Sequence, residues 1–268
     1  MSKGALIFAY NNETVDYQGM AAWSAANIQR HLNIPTCLVT DSVTDEIRSK
    51  FEQVVLVDSP VTEQRRYFRD YKAAGVWYNT NRVNAYELSP YDHTLLLDAD
   101  YVVASDQLKM LFDIDQDFLA HRYASDISGN LPFKGNDSFG TYKMPMWWAT
   151  VVGFRRSKKA KLIFDCMEMI RNNWNHYLQL YQIGEQTYRN DFALSIAMNI
   201  VNGHTLSDLS IPWKLATVTP ETNLTRVAQD TYKIQYKNSE EKVKWVMLHQ
   251  DFHAMCKRDL GEIVGNSH

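Results

Sequence analysis

Two aspartates two residues apart, Asp98 and Asp100, stand where the apolar run Thr94-Leu95-Leu96-Leu97 stops. Residues i and i+2 of an extended chain point the same way, so both carboxylates can face one cation. A divalent cation held by two carboxylates is completed by water and substrate phosphates, because magnesium and manganese favour oxygen ligands in octahedral geometry. The chemistry implied is the handling of a phosphorylated substrate. The Asp-x-Asp spacing occurs three times, the others being Asp113/Asp115 and Asp115/Asp117. That second cluster begins like a calcium loop but carries Phe118 where such a loop requires Gly, and it reads as a solvated turn. Only Asp98 and Asp100 end an apolar strand.

Other chemistries find little support. No P-loop occurs, and no Gly-x-Gly-x-x-Gly follows the first apolar run. A nucleotidyltransferase, which pyrophosphate release from a nucleoside triphosphate would reveal, usually places a Gly-rich loop there, and this chain has Ala9-Tyr10-Asn11-Asn12. His249 and His253 are spaced as in a zinc protease, but Gln250 replaces the Glu that such a site needs.

The elements that must position Asp98 and Asp100 read as alternating strands and helices. Strands are expected at residues 5–10, 36–40, 54–57, 94–97, 118–120 and 146–154, and helices at residues 15–31, 76–88, 105–112 and from Ser157 onward. Ser42 to Asp45 has capping-box spacing for a helix through Phe51. Ile163, Cys166, Met167, Ile170, Trp174 and Tyr177 fall at helical spacing and are assigned to the core. Asn190-Asp191 opens a further helix through Met198, and residues 215–218, 232–236 and 244–248 alternate as strands. The fold class expected is α/β, with a mixed, mostly parallel sheet flanked by helices and ligands beyond the strands' carboxyl ends.

With 268 residues, 45% of them hydrophobic, the chain can bury one large core, read as a single unit over 1–268. A net charge of −3 argues against a surface that coats nucleic acid. Cys37, Cys166 and Cys256 are three in number, far apart and form no metal-type pair, which suits a reducing compartment. The first apolar run is too short for a signal peptide and no stretch is long enough to span a bilayer, so a cytoplasmic protein without membrane contact is expected.

Taken together, these residues resemble the glycosyltransferases of the GT-A fold, a Rossmann-like architecture, and most closely their glycogenin-like retaining branch. The resemblance lies in Ala9-Tyr10-Asn11-Asn12 with Tyr17, in Val39-Thr40-Asp41, in Phe51 to Val57, and in Arg82 ahead of Tyr91 to Asp100 with its Leu-Asp-Ala-Asp. It implies a transferase that moves a sugar from a nucleotide-sugar, UDP-linked in this family, with Mn2+ or Mg2+ held by Asp98, Asp100 and a late histidine, here His249. It further implies donor contacts from Ala9, Tyr10, Asn11, Asn12, Tyr17, Asp41 and Ala99, and phosphate contacts from Arg82 and Lys257. Asp191 matches the acidic residue near the reacting sugar, with Gly184 and Glu185 before it. Residues 1–105 then form the donor half and 106–268 the acceptor half.

For the acceptor, two basic clusters stand out: Arg65, Arg66, Arg69 and Lys72, interleaved with Tyr67, Phe68 and Tyr71; and Arg155, Arg156, Lys158, Lys159 and Lys161. They read either as solvated surface or as phosphate contacts for DNA, with aromatics able to stack on a flipped base. The chain also resembles glycosyltransferases of T-even-type bacteriophages, which implies transfer of arabinose or glucose to hydroxymethylcytosine in double-stranded DNA, in the host cytoplasm. The Gly-, Asn- and Ser-rich stretch 122–145, with Phe133, Phe139 and Tyr142, would then close over donor and base. A glycan or protein acceptor, and a non-catalytic nucleic-acid- or glycan-binding module, are the alternatives.

Overall fold

A strand that is apolar at every position is stable only where both faces are covered. In the computed structural model, which describes residues 1–59, 65–68, 71–128, 137–184, 187–205, 209–238 and 240–266, two strands with such apolar stretches, Lys3–Phe8 through Ala5 to Phe8 and His93–Asp98 through Leu95 to Leu97, lie side by side within a six-stranded sheet. The order is Gln53–Leu56, Thr36–Thr40, Lys3–Phe8, His93–Asp98, Trp148–Arg155, Phe118–His121. Trp148–Arg155 runs antiparallel to both its neighbours and the other pairings are parallel, which is the mixed, mostly parallel sheet expected.

Successive side chains of a strand point to opposite faces, and the core divides accordingly. Leu95 and Leu97 pack with Ala5, Ile7, Met20 and Ile28 on one face. Leu96 packs with Leu6, Phe8, Val152, Phe154 and Phe164 on the other. Helix Tyr17–Leu32 covers the first face, and helices Lys158–Asn172 and Asn190–Val201 cover the second. Asp16 caps the first helix by accepting from the Gly19 amide at 3.0 Å, and Ser157 caps the second by accepting from Ala160 at 3.1 Å.

Three local expectations are corrected. The helix expected from Ser42 is a single turn, Asp45–Arg48, capped by Thr44, because the chain must turn back at once into Gln53–Leu56. The helix expected over 76–88 begins late and is irregular: Val76 still belongs to strand Ala73–Val76, paired with Arg65–Phe68, and the helical part is a 3-10 turn Asn81–Asn84 followed by a helical turn Ala85–Leu88. Cross-strand pairing claims the first residue of the expected helix and leaves its second half helical. The segment that follows Ser105, Gln107–Phe112, is 3-10 rather than α: the Ser105 hydroxyl accepts from the Gln107 amide at 3.3 Å and donates to Asp251 at 2.9 Å.

Tyr101–Val102, Phe252–Ala254, Leu215–Val218 and Ala124–Asp126 form a second, four-stranded sheet. Its Leu215, Val218, Phe252 and Ala254 join the same apolar cluster as Leu95 and Leu97, so the two sheets share one core. The meander Asn223–Ala228, Thr231–Lys237 and Val243–Leu248 buries Leu224, Tyr232, Ile234 and Leu248 against that core. No helix among the described residues is long and apolar enough to cross a membrane.

Two strand histidines make the sheet acid-sensitive. Burial, with Arg155 and Lys3 nearby, pushes His93 down to about 4, and burial pushes His121 down to about 4. The native state holds both neutral while the unfolded chain takes up protons near pH 6.5, so stability is present above that pH and is lost as pH falls toward 4. Each histidine is expected to cost about 2 kcal/mol between pH 6.5 and 5. Urea unfolding across that range should show a shallower decline for His93→Phe, whose ring can keep the edge contact with Phe112.

Candidate active site

The central strand delivers Asp98 to the edge of the sheet, and after Ala99 and Asp100 the chain re-enters a strand, Tyr101–Val102. That strand pairs antiparallel with Phe252–Ala254, Tyr101 opposite His253, and the Ala254 amide donates to the Asp100 carbonyl at 2.9 Å. The pairing sets the His253 Nε2 3.4 Å from Asp100 Oδ1. Lys257 opens helix Lys257–Gly265 and places its Nζ 2.6 Å from Asp100 Oδ2. One candidate ligand atom each from Asp98, Asp100 and His253 lies within 4.8 Å of the others. Two carboxylates and an imidazole form a donor set that suits a divalent cation, so these residues could hold one.

Arg82 explains why Asp98 stays in place. Its side chain is 1% exposed, and Nη1 meets Asp98 Oδ1 at 2.6 Å. The same guanidinium donates to the carbonyls of Leu97 at 3.3 Å and Ala149 at 2.5 Å, bridging the strand of Asp98 to its antiparallel neighbour. Burial pushes the Asp98 carboxyl up, Arg82 opposes that, and the nearby Asp100 and Asp191 carboxylates add to the rise. Burial also acts to raise Asp100, but Lys257 and His253 outweigh it and hold that carboxyl well below the usual range. The two aspartates are thus held in different electrostatic states, one against a fixed arginine and one against a lysine and a histidine.

These groups line one cleft. On the side of strand Lys3–Phe8 its wall is Phe8, Tyr10, Asn12 and Tyr17; on the side of strand Trp148–Arg155 it is Trp148, Ala149, Arg189 and Asp191. Val76 to Asn79, Ala99, Thr150, Asn190, Thr217 and Met255 complete the lining. Asp191 is fixed at both oxygens, Oδ1 accepting from the Ala149 amide at 2.9 Å and Oδ2 from Arg189 at 3.0 Å.

Of the residues singled out in the sequence, Asp98, Asp100, Tyr10, Asn12, Tyr17, Arg82, Ala99, Asp191 and Lys257 meet in this cleft. His249 does not. It is exposed and its Nδ1 lies 3.2 Å from the Thr231 hydroxyl, while the imidazole beside the carboxylates is His253. His249 follows the last strand of the meander, whereas His253 lies in the strand that pairs with Tyr101–Val102. The signal was the alternation Phe252-His253-Ala254, two buried apolar residues around one that is half-buried. Arg82, expected on phosphate, pairs with Asp98 and is among the residues that line the cleft. Ala9 is buried beneath the cleft, Asn11 accepts from the Gln18 amide at 2.8 Å, and Asp41 accepts from the Ser59 hydroxyl at 2.7 Å, so these three are not among the lining residues.

The basic clusters are partly used inside the protein. Arg155 pairs with Asp115 at 2.9 Å, Arg156 donates to the Ser89 carbonyl and lies over the Tyr86 ring, and Lys161 meets Asp165 at 2.8 Å. Arg65 pairs with Glu13 at 3.2 Å and Lys72 is exposed. Arg69, Phe133, Glu185 and the side chain of Arg66 lie outside the described residues. Within 122–145, Phe139 packs on Phe192 at 4.8 Å between ring centroids, against the helix that carries Asp191.

Replacing Arg82 with Met should destabilise the fold by about 3–5 kcal/mol, since it removes the donor to a partly buried carboxylate and to the carbonyls of Leu97, Ala149 and Thr150. Denaturant unfolding measures this, and Arg82→Lys should recover part of the loss.

The sequence matches no protein-family model and no curated protein. Solved structures similar to the chain include the glycosyltransferase GlyE of Streptococcus pneumoniae TIGR4, at 15% identity and a TM-score of 0.43 over 79% of this chain and 46% of that one. Another is the galactosyltransferase LgtC, solved with donor and acceptor sugar analogues, at 14% identity and a TM-score of 0.45 over 73% of this chain and 70% of that one. A third is mouse xyloside xylosyltransferase 1, at 9% identity and a TM-score of 0.47 over 77% and 84% of the two chains. The match thus spans less than half the length of the pneumococcal protein.

Proposed function

We propose that the chain is a metal-dependent glycosyltransferase that moves a sugar from a nucleotide-sugar, UDP-linked, to an acceptor hydroxyl. The convergence of Asp98, Asp100, His253 and Lys257 at the end of the central strand, inside one cleft, carries this reading. A bound Mn2+ or Mg2+ supplies Lewis-acid stabilisation of the negative charge that grows on a departing diphosphate. Asp98, Asp100 and His253 would hold the ion, and Arg82 keeps the Asp98 carboxylate turned to it. Lys257 brings an ammonium to the same place, where it can meet phosphate charge as it develops. Tyr10, Asn12, Tyr17 and Ala99, from the half spanning 1–105, line the side on which the nucleoside would lie. Asp191, engaged at both oxygens, orients groups near the sugar rather than acting as a free base, which supports a retaining reaction.

The acceptor in the finer reading is hydroxymethylcytosine in DNA, with arabinose or glucose as the sugar. What supports it is the exposed Lys72, with Arg65, itself paired to Glu13, on the same hairpin, whose return strand leads Val76 into the cleft. Arg155, Arg156 and Lys161 are engaged within the protein and lend it less. A glycan or protein hydroxyl is the alternative. Offering nucleotide-sugars with hydroxymethylated DNA, glycan and protein acceptors, and reading products by mass spectrometry, separates the two.

Nucleotide-sugar hydrolysis should require manganese and should fall roughly 100-fold or more in Asp100→Ala. Activity that is metal-independent and indifferent to that change would sink the proposal, and salt-sensitive DNA binding without turnover would favour a binding module. His253→Ala should weaken Mn2+ binding by more than about 10-fold. Under titration calorimetry His249→Ala should bind the ion as the unmodified protein does.

A further inference from the structure

The strands that bring Asp100 and His253 together are very short. Tyr101–Val102 has two residues and Phe252–Ala254 has three, with Tyr101 opposite His253 and Val102 opposite Phe252. A ladder of that length does not hold a geometry by itself. At one end it is closed by the Ala254 amide donating to the Asp100 carbonyl at 2.9 Å. At the other end a side chain closes it. Asp251, 5% exposed, accepts with Oδ1 from the Ala104 amide at 2.8 Å and from the Ser105 hydroxyl at 2.9 Å. The same Ser105 hydroxyl accepts from the Gln107 amide at 3.3 Å, tying the clip to the 3-10 segment whose Leu108 and Leu111 are fully buried in the core. The residue just before the histidine strand is therefore fastened to the residues just after the aspartate strand.

A buried carboxylate is a costly way to make two hydrogen bonds, since an amide oxygen could accept both without a charge to desolvate. What Asp251 gains is strong, charge-assisted acceptance from two donors at one point, which limits the sliding and rotation of one strand against the other. We propose that Asp251, with Ser105, is a positioning residue for the candidate metal centre: the clip holds His253 at its separation from Asp100. Asp251 touches none of the three candidate ligands and acts through the strand pairing. The proposal rests on the reading of Asp98, Asp100 and His253 as a cation site.

Manganese alone is the probe, titrated into the full chain and followed by electron paramagnetic resonance, with nitrogen hyperfine coupling reporting the imidazole. The unmodified protein should bind Mn2+ with a nitrogen coupling that His253→Ala removes. Asp251→Ala should weaken binding by about 10-fold or more and lose the nitrogen coupling, while the carboxylates still hold the ion. Asp251→Asn keeps an oxygen that can accept from both donors, without the charge, and should restore part of the affinity and the coupling. Ser105→Ala removes one donor and should weaken binding about three-fold. Thermal unfolding shows which variants fold, and if Asp251→Ala does not, Ser105→Ala and Asp251→Asn still decide. Native affinity and nitrogen coupling in Ser105→Ala, or in a folded Asp251→Ala, overturn the clip, as does a loss in Asp251→Asn equal to that in Asp251→Ala. Absence of any Mn2+ binding that depends on Asp100 would instead overturn the cation site itself, and the proposal with it.

Discussion

Three carboxylates converge at one edge of the sheet, and each is held by a positive or proton-bearing partner. Asp98 has Arg82, Asp100 has Lys257 and His253, and Asp191 has Arg189. Like charges brought this close out of water repel strongly, so the arrangement is stable only because every acid has its own partner in hydrogen-bonding geometry. The partners differ in kind. Arg82 is buried and fixed by carbonyls of two strands, which makes it part of the scaffold. Lys257 and His253 line the open cleft, where their charge and donors can be shared with a ligand.

The cleft follows from how the sheet is built. Its strands are covered on both faces, so side chains at the strand ends are where polar groups can emerge without breaking the core. The antiparallel strand Trp148–Arg155 brings its amino-terminal end, with Trp148 and Ala149, to the edge at which Lys3–Phe8 and His93–Asp98 bring their carboxyl ends. Parallel and antiparallel neighbours thus supply opposite walls. The second sheet then closes the floor, because Phe252 and Ala254 bury into the same core as Leu95 and Leu97 and leave His253 between them facing the acids.

Much of this frame was legible without coordinates. The apolar run ending on Asp98 marked a central strand, the dyad spacing put both aspartates on one side, and Ser157 announced the helix that it caps. Arg82 was singled out as a phosphate contact, but its pairing with Asp98 was not legible, because a basic residue before an acidic motif looks the same in sequence whether or not it meets that motif. The segment 76–88 reads as one helix from local periodicity, but Val76 is held in a strand by its non-local pairing with Arg65, and only Asn81–Asn84 and Ala85–Leu88 turn helically.

The sequence by itself determined the strand alternation, the two-faced core and the carboxylates at the central strand's end, since each rests on residues within a few positions of one another. Only the tertiary structure decided which late residue stands beside them. Asp100 and His253 are 153 positions apart in the sequence, and their meeting depends on a two-residue ladder and on Asp251 fastening it. His249 and His253 are four apart and chemically identical, and the only local difference is that His253 stands between two apolar residues, Phe252 and Ala254. What decides between them is which lies in a strand that packs on the core, because burial of Phe252 and Ala254 dictates the register and the register aims the imidazole.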